Sequence, residues 1–282
     1  MKVIRSPKTL RRIISGTREC PVVLVPTMGN LHEGHLSLIR KANALAGDGG
    51  LVLVTIFVNK TQFGPQEDFK KYPRTLSADL NLCQQLGADL VFAPEDSTIY
   101  HADHSTYVAE GCLAKRMEGA SRPTHFRGVT TVVAKLLNLS QPNIAVFGAK
   151  DWQQSAVISR IVRDLNYPVR VVIAPTVREK DGLALSSRNR YLSPSERSEA
   201  TVLIETLRLA KRLVRENQSP LTSATLKRKL EKHIATKRLA KLDYIDFFDP
   251  KSLEPAQRVQ RGTHMALAVI FGKTRLIDNS RL

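Results

Sequence analysis

Short apolar runs alternate with amphipathic segments along the first 178 residues, and this alternation restricts the fold more than any other feature. Between the runs lie segments with helical periodicity. Such alternation is typical of a parallel, doubly wound α/β sheet, which binds ligands beyond the carboxyl ends of its strands. Near-continuous Val, Ile, Leu and Phe predicts strands buried on both faces at VVLVP (22–26), LVLVTIFV (51–58), DLVFAP (89–94), NIAVFG (143–148) and VRVVIAPTV (169–177).

The pattern changes after residue 178. A polar stretch without clear periodicity, REKDGLALSSRNRYL, predicts a loop. Ser193 and Glu196 then have the spacing of a capping box, which predicts a helix to about Asn217. A basic helix and two strand-like segments, LDYIDFFDP and HMALAVIFGKTRLIDN, complete the chain. The sequence therefore predicts two domains, a Rossmann-like domain at 1–178 and a smaller α+β domain at 179–282.

Composition restricts the location and the partners. The chain has 43 Lys and Arg against 26 Asp and Glu, a net charge of +17, and 17 of the basic residues lie after residue 200. This balance suits anionic partners, although a solvated basic surface explains it as well. Three widely spaced cysteines, no secretory signal and no apolar run of 18 residues predict a soluble cytoplasmic protein without a membrane partner.

The stretch PTMGNLHEGH (26–35) joins the first of these strands to a helix and contains two histidines, His32 and His35. Three interpretations are open: zinc ligands, a solvated helix cap, or donors to an anion. HEGH lacks the i,i+4 spacing of a zinc-binding HExxH helix. The amides and dipole of a helix start favour an anion, and imidazole donors would add to them. The position at a strand end therefore favours a phosphate.

PTMGNLHEGH resembles the HxGH signature of the nucleotidyltransferase superfamily. FVNKTQF, YPRTLSADL, EGASRPTHFRGVTTVVAKL, FGAKDWQQ and KDGLALSSRN follow it in the order and spacing of the pantoate–β-alanine ligases, a family also called pantothenate synthetases. The resemblance covers the chain from about residue 22 to the C-terminal LIDN. It implies a two-step reaction: ATP and pantoate form pantoyl adenylate and pyrophosphate, and β-alanine then displaces AMP to give pantothenate.

The resemblance also implies roles for single residues. His35 matches a proton donor, His32 its phosphate-binding companion, and Lys150 a lysine on the α-phosphate; with Arg188 these are the expected catalytic residues. Gln62 and Gln154 match the glutamines that bind pantoate, and Gln62 is expected to contact β-alanine as well. Loop 185–188 matches the flexible loop that closes over the phosphates, which makes the second domain a lid. The expected ATP-binding residues are Met28, Gly29, Asn30, Leu31, His32, Glu33, Gly34, His35, Gly148, Ala149, Lys150, Asp151, Val177, Leu185, Ser186, Ser187 and Arg188.

Further expectations are a homodimer and Mg²⁺ carried by ATP, with Asp79 at the metal or phosphate side. Lys60 stands where the family usually has proline, and Ala149 where glutamate is common, so the loop geometry is uncertain at both places. Arg122, His125 and Arg127 are expected in the pocket or at a dimer contact. These two roles are not distinguished by the sequence.

Two other functions compete with the ligase. A nucleic-acid-binding protein is suggested by the basic charge, but no RNA- or DNA-binding signature occurs and aromatic residues make up only 6%. A cytidylyltransferase would share the HxGH motif. The paired glutamines and KDGLALSSRN favour the ligase, with small-molecule substrates and no nucleic acid.

Overall fold

The structure, a computed structural model, describes residues 1–17, 20–65, 67–217 and 219–282. The chain divides into two compact units. Unit 1 contains residues 1–149 and 153–175, and unit 2 contains residues 150–152 and 176–282.

Unit 1 is built on a six-stranded sheet. Its strands β1 to β6 are Lys2–Ile4, Val22–Thr27, Leu51–Ile56, Leu90–Phe92, Ile144–Gly148 and Arg170–Ala174. Neighbouring strands are all parallel, in the order β1-β4-β3-β2-β5-β6. This confirms the predicted doubly wound α/β class. The runs of Val, Ile, Leu and Phe became strands as expected, and the short β1 was not foreseen.

Both faces of the central strands are covered. Val23 and Val25 of β2 pack with Val52 and Val54 of β3 in one cluster, whereas Leu24 points to the opposite face and is also fully buried. Burial on both faces explains why these strands lack polar alternation. Helices α1 to α7 are Pro7–Ser15, Glu33–Ala46, Leu76–Gln85, Asp96–Ile99, Glu118–Ser121, His125–Ser140 and Trp152–Asp164.

Unit 2 is the predicted small α+β unit. The strands β7 to β11 are Leu221–Thr222, Ala240–Phe248, Arg258–Val259, His264–Phe271 and Thr274–Arg281. The helices α8 to α10 are Pro194–Glu199, Val202–Glu216 and Ser223–Ile234. An antiparallel sheet in the order β11-β10-β8 shares an apolar core with α9 and α10. A second sheet joins β7 to β9.

The capping box predicted at Ser193 is confirmed, because its hydroxyl accepts from the Glu196 amide at 3.3 Å and the Glu196 carboxylate accepts from the Ser193 amide at 2.8 Å. The single helix predicted to run on to Asn217 is wrong. The helix is interrupted at Ala200 and Thr201, and α9 starts afterwards. No helix in the described ranges combines the length and the apolar character needed to cross a membrane.

The boundary between the units lies at 175/176, three residues before the predicted one. Arg178 explains the shift, since its guanidinium pairs with Asp278 of β11 at 2.6 and 2.9 Å. Residues 150–152 group with unit 2 for a similar reason. The Trp152 ring stacks on His264, with centroids 4.2 Å apart.

Candidate active site

The two histidines of the HEGH stretch cap helix α2. His32 is the N-cap residue, and its Nδ1 accepts a hydrogen bond from the Gly34 amide at 3.2 Å. The Nδ1 of His35 accepts from the His32 amide at 3.3 Å. The two rings lie 4.1 Å apart. The cap interpretation and the phosphate interpretation are therefore compatible, because the cap itself brings both rings to the helix start.

These contacts also define the tautomer of each ring. A neutral imidazole has one donor nitrogen and one acceptor nitrogen. Since Nδ1 accepts from a backbone amide in both rings, the proton of each neutral ring resides on Nε2. The start of α2 thus carries two imidazole N–H donors together with its own dipole, an arrangement that stabilises an anion.

The turn before the cap is held by Asp79 of α3. Gly29 and Asn30 both have left-handed backbone angles, with φ of 77° and 50°. The Asp79 carboxylate accepts from the amide of Asn30 at 2.9 Å and from that of Leu31 at 2.8 Å. A Cβ on Gly29 would lie 3.0 Å from the same carboxylate. Glycine is therefore required here both by its backbone angle and by the space available.

Asp79 has a different environment from the one expected of a metal ligand. Its side chain is only 2% exposed, and one of its oxygens also accepts from the Thr75 hydroxyl at 3.2 Å. Across the described ranges, no three His, Cys, Asp or Glu side chains are grouped to hold a metal ion. In the structure the carboxylate holds the turn through these hydrogen bonds. Its role at a metal stays a prediction.

Gln62 is held at both ends of its side chain. Its Nε2 donates to the sulfur of Met28 at 3.0 Å, and its Oε1 accepts from Asn59 at 3.1 Å. Asn59 in turn donates to the Gly128 carbonyl at 3.1 Å and accepts from the Tyr100 hydroxyl at 2.9 Å. Asn59 was not foreseen from the sequence. Its place in FVNKTQF was the only available signal.

The main chain of Gln62 is held by the SRPTHFRGV segment. Its carbonyl lies 2.9 Å from His125 Nδ1 and accepts from Arg122 at 3.3 Å. Arg122 also donates to Glu67 through its Nε at 2.7 Å. Arg127 is placed differently, with its guanidinium 4.8 Å from the centre of the Tyr107 ring. Arg122 and His125 therefore hold the main chain of Gln62, whereas Arg127 lies over Tyr107, and their assignment to a pocket or a dimer contact stays a prediction.

His125 is expected to make folding stability depend on pH. Burial, and then the charge of Arg122, lower the pKa of His125 to about 4, whereas the pKa of an unfolded histidine is about 6.5. Protonation therefore favours the unfolded chain. The stabilisation is complete above about pH 6.5 and is lost as the pH falls toward 4, by about 2–3 kcal/mol.

Urea unfolding of wild type and His125→Asn between pH 8 and pH 4.5 measures this contribution. Asparagine can still donate to the Gln62 carbonyl but does not titrate. The free energy of unfolding should fall more steeply with decreasing pH in wild type than in the variant. Parallel curves would contradict the assignment.

Gly128 lets helix α6 approach the Gln62 turn. A Cβ on Gly128 would clash with the Thr61 carbonyl and the Gln62 amide, which are backbone atoms that cannot rotate away. We expect Gly128→Ala to displace Gln62, to raise about tenfold the KM for pantoate, the substrate that the family resemblance assigns to Gln62, and to destabilise the protein by about 1–3 kcal/mol. Gly111→Ala is the matched control, because a Cβ there meets nothing within 4 Å. Equal KM values for the two variants would refute the expected displacement.

The two glutamines of FGAKDWQQ differ in their surroundings. Gln153 is buried, and its amide accepts from the Glu118 amide at 3.0 Å and donates to the carbonyls of Leu113 and Arg116 at 2.8 and 2.7 Å. Gln154 is half-buried. The fold thus occupies the side-chain amide of Gln153, and the pantoate-binding role of Gln154 stays a prediction.

In unit 2 the structure brings Val177 next to loop 185–188. The Leu185 amide donates to the Val177 carbonyl at 3.0 Å, and the Ser186 hydroxyl accepts from the Arg188 amide at 3.2 Å. Lys150 and Asp151 also belong to unit 2, with 3.7 Å between the ammonium and the carboxylate. The other residues predicted for the site belong to unit 1. There the segment Met28–His35 contacts Gln62 through the sulfur of Met28. Gly148 and Ala149 end β5 and begin the next 3-10 turn.

Comparison with known proteins decides the family. Residues 2–281 match the family described as Pantoate-beta-alanine ligase. The chain belongs to the pantoate–β-alanine ligase family. This assignment removes the cytidylyltransferase alternative and confirms the resemblance carried by the motifs.

Individual relatives agree over nearly the whole length. The pantothenate synthetase of Moorella thermoacetica is 46% identical over 281 residues, covering 99% of this chain and 98% of the relative. A crystal structure of pantothenate synthetase from Thermus thermophilus superposes with a TM-score of 0.91 at 43% identity, covering 100% and 99% of the two chains. The pantoate–β-alanine ligase of Francisella tularensis, solved with beta-gamma ATP and β-alanine, has a TM-score of 0.78 at 33% identity, covering 100% and 97%.

The two departures from the ligase pattern leave the local turns formed. Lys60 is exposed and starts the 3-10 turn Lys60–Gln62. Ala149 starts the 3-10 turn Ala149–Asp151. Neither turn therefore requires the proline or the glutamate that the family usually has.

Proposed function

We propose that this ligase condenses pantoate with β-alanine through pantoyl adenylate. In the first step a pantoate carboxylate oxygen attacks the α-phosphorus of ATP, and pyrophosphate leaves with the electrons of the broken P–O bond. In the second step the amine of β-alanine attacks the acyl carbon, AMP leaves, and the amine loses a proton. The reciprocal cap of His32 and His35 is the observation that carries the proposal, because it places two N–H donors at a helix N-terminus.

The first step needs cations and donors that are already in place when charge builds up on the phosphate. We assign this to the Nε2–H groups of His32 and His35 and to the ammonium of Lys150, a compact charge suited to a phosphate. Arg188 and loop 185–188 are proposed to contact the leaving pyrophosphate. The second unit would then act as a lid that excludes water from the adenylate. We also propose, from the family resemblance alone, that ATP is contacted by Met28–His35, Gly148–Asp151 and Val177.

Pantoate is assigned to Gln62 and Gln154. An amide offers both a donor and an acceptor, which suits the hydroxyls and the carboxylate of this substrate. The hydrogen bonds from Asn59 and to Met28 restrict the rotamer of Gln62 before substrate arrives. A restricted side chain loses less conformational entropy on binding. The same glutamine is proposed to contact β-alanine.

Mg²⁺ is proposed to arrive with ATP and to be held by its phosphates. The residues do not fit a metal site built on Asp79, because both of its oxygens already accept backbone amides. A Mg²⁺ ion that keeps several waters and binds substrate phosphates requires few protein ligands. No step proposed above depends on a protein-bound metal.

Product analysis tests the function. Purified protein, ATP, Mg²⁺ and pantoate should support exchange of radioactive pyrophosphate into ATP without β-alanine. Addition of β-alanine should release AMP and pantothenate in equal amounts. AMP release that is independent of pantoate, or no AMP release at all, would refute the proposal.

The proposal includes a homodimer formed through unit 1. The outer edge of β6 supports it: among the described strands β6 pairs with β5 alone, and Ile173 on this strand is 38% exposed. An exposed apolar edge strand is a site for pairing with another chain. Light scattering should give twice the 31.4 kDa of the chain, and a monomer at micromolar concentration would refute this part.

A cytoplasmic location without a nucleic-acid partner completes the proposal. The free thiols of Cys20, Cys83 and Cys112 support it, since free cysteines are typical of a reducing compartment. Fractionation of the source cells would test the location.

A further inference from the structure

Two neighbouring side chains at the end of β11 contact two separate segments of unit 2. Asn279 donates from its Nδ2 to the carbonyl of Lys150 at 2.8 Å. Asp278 accepts two hydrogen bonds from Arg178, at 2.6 and 2.9 Å. We propose that Asp278 and Asn279 are positioning residues, which set the places of Lys150 and of loop 185–188 from one rigid strand. The inference rests on the proposed roles of Lys150 and of that loop.

The orientation of the Asn279 amide is fixed by its second partner. Its Oδ1 lies 3.0 Å from the Nε2 of His264, a buried side chain on β10. The His264 ring is packed between Trp152 and Phe248, with ring centroids 4.2 and 5.3 Å away. The amide therefore accepts from the histidine and donates to Lys150. A residue with a defined partner on each side of its amide holds the Lys150 carbonyl with little freedom.

Trp152 gives the Lys150 segment a second attachment. Besides its stacking on His264, its indole N–H donates to the Pro250 carbonyl at 3.1 Å. The main chain around Lys150 is thus fixed on both sides of Asp151 by residues of unit 2. Such anchoring suits a lysine whose ammonium has to be in place before charge develops on a phosphate.

Asp278 acts on the segment that precedes loop 185–188. Its carboxylate is fully buried and holds Arg178, which also donates to the Gly182 carbonyl at 3.0 Å. Arg178 and Ala184 form an antiparallel bridge. The chain that leaves this bridge begins loop 185–188, so the buried ion pair fixes the base of the loop.

A double-mutant cycle tests the Asn279 branch. Asn279→Ala should slow pantoate-dependent ATP–pyrophosphate exchange by about tenfold to hundredfold. In a Lys150→Met background the same change should alter the residual rate less than twofold, because Asn279 would have no ammonium left to position. Additive effects of the two changes would overturn the proposal, since an Asn279 that only stabilises the fold would act independently of Lys150.

Two further variants keep the result interpretable. At pH 8, Asn279→Asp keeps the acceptor for His264 but cannot donate to the Lys150 carbonyl, so it should be as slow as Asn279→Ala. Asn217→Ala removes a similar side-chain hydrogen bond, to the Leu213 carbonyl at 2.7 Å, and should leave the rate unchanged.

A fully active Asn279→Asp would overturn the proposal. If Lys150→Met itself is fully active, the proposed role of Lys150 fails instead, which separates the two failures.

The Asp278 branch has the corresponding test. Asp278→Asn removes the charge that holds Arg178, and its effect on the exchange rate should disappear in an Arg188→Met background. Asp243→Asn is the control, because it breaks another arginine–carboxylate pair of the same sheet, with Arg275 at 2.9 and 2.7 Å. Equal effects of Asp278→Asn in both backgrounds would overturn this branch.

Discussion

Replacing His35 by alanine is expected to slow formation of pantoyl adenylate by about 10²–10⁴-fold, the range of a lost acid–base or oxyanion-binding group. The change removes the Nε2–H donor and also the Nδ1 acceptor of the His32 amide. Loss of the cap alone should cost about 0.5–2 kcal/mol of stability. Pantoate-dependent ATP–pyrophosphate exchange measures the chemical effect, and thermal unfolding measures the cap.

His35→Gln separates these two effects. Glutamine at the third helical position can accept from the N-cap amide, as in an ordinary capping box, but it has no imidazole. We expect its stability to be close to that of wild type and its exchange rate to be as low as that of His35→Ala. Near-normal exchange by His35→Gln would mean that His35 serves the helix and not the phosphate. A retained pH–rate profile in the slow variant would show that His35 binds charge without transferring a proton.

Replacing Lys150 by methionine is expected to lower kcat/KM for ATP in the exchange reaction by about 10²–10³-fold, as for other single groups that stabilise developing charge. The methionine keeps an unbranched stem and removes the ammonium. Stability should change little, because Lys150 is partly exposed and its contact with Asp151 is a surface ion pair of 3.7 Å.

Lys150→Arg is the matched control for charge. Its guanidinium is planar and larger than an ammonium, so we expect intermediate activity, with KM for ATP affected less than kcat. Equal losses in the methionine and arginine variants would mean that geometry matters more than charge. Unchanged activity of Lys150→Met would contradict the assigned role.

The sequence predicted those parts of the fold that depend on local pattern. Strands such as Leu51–Ile56 are buried on both faces and are therefore apolar at every position except Thr55. The strand Lys2–Ile4 was missed because two of its three residues are exposed and its pairing partner, β4, is about 90 residues away. The break at Ala200 and Thr201 was missed for a different reason: no Gly or Pro lies between Pro194 and Glu216, so the sequence contains no helix-breaking residue there.

In the candidate site, too, contacts between residues close in the sequence could be predicted and contacts between distant residues could not. The HEGH cap is a contact within four residues, and the motif offered it as one of three interpretations. Asp79 contacts the turn from 48 and 49 residues away, and Asn279 contacts Lys150 from 129 residues away. A single sequence has no signal for pairs so distant. Gln153 is buried and bonded within the fold, with partners 35 to 40 residues away, and composition alone does not distinguish it from Gln154.

The buried carboxylate of Asp79 acts as an internal anion within a turn of nitrogen donors. The amides of Asn30 and Leu31, which follow the left-handed Gly29, both donate to this carboxylate. On the proposed function, the triphosphate of ATP would therefore be bound at the start of helix α2 and not by the two amides that Asp79 holds.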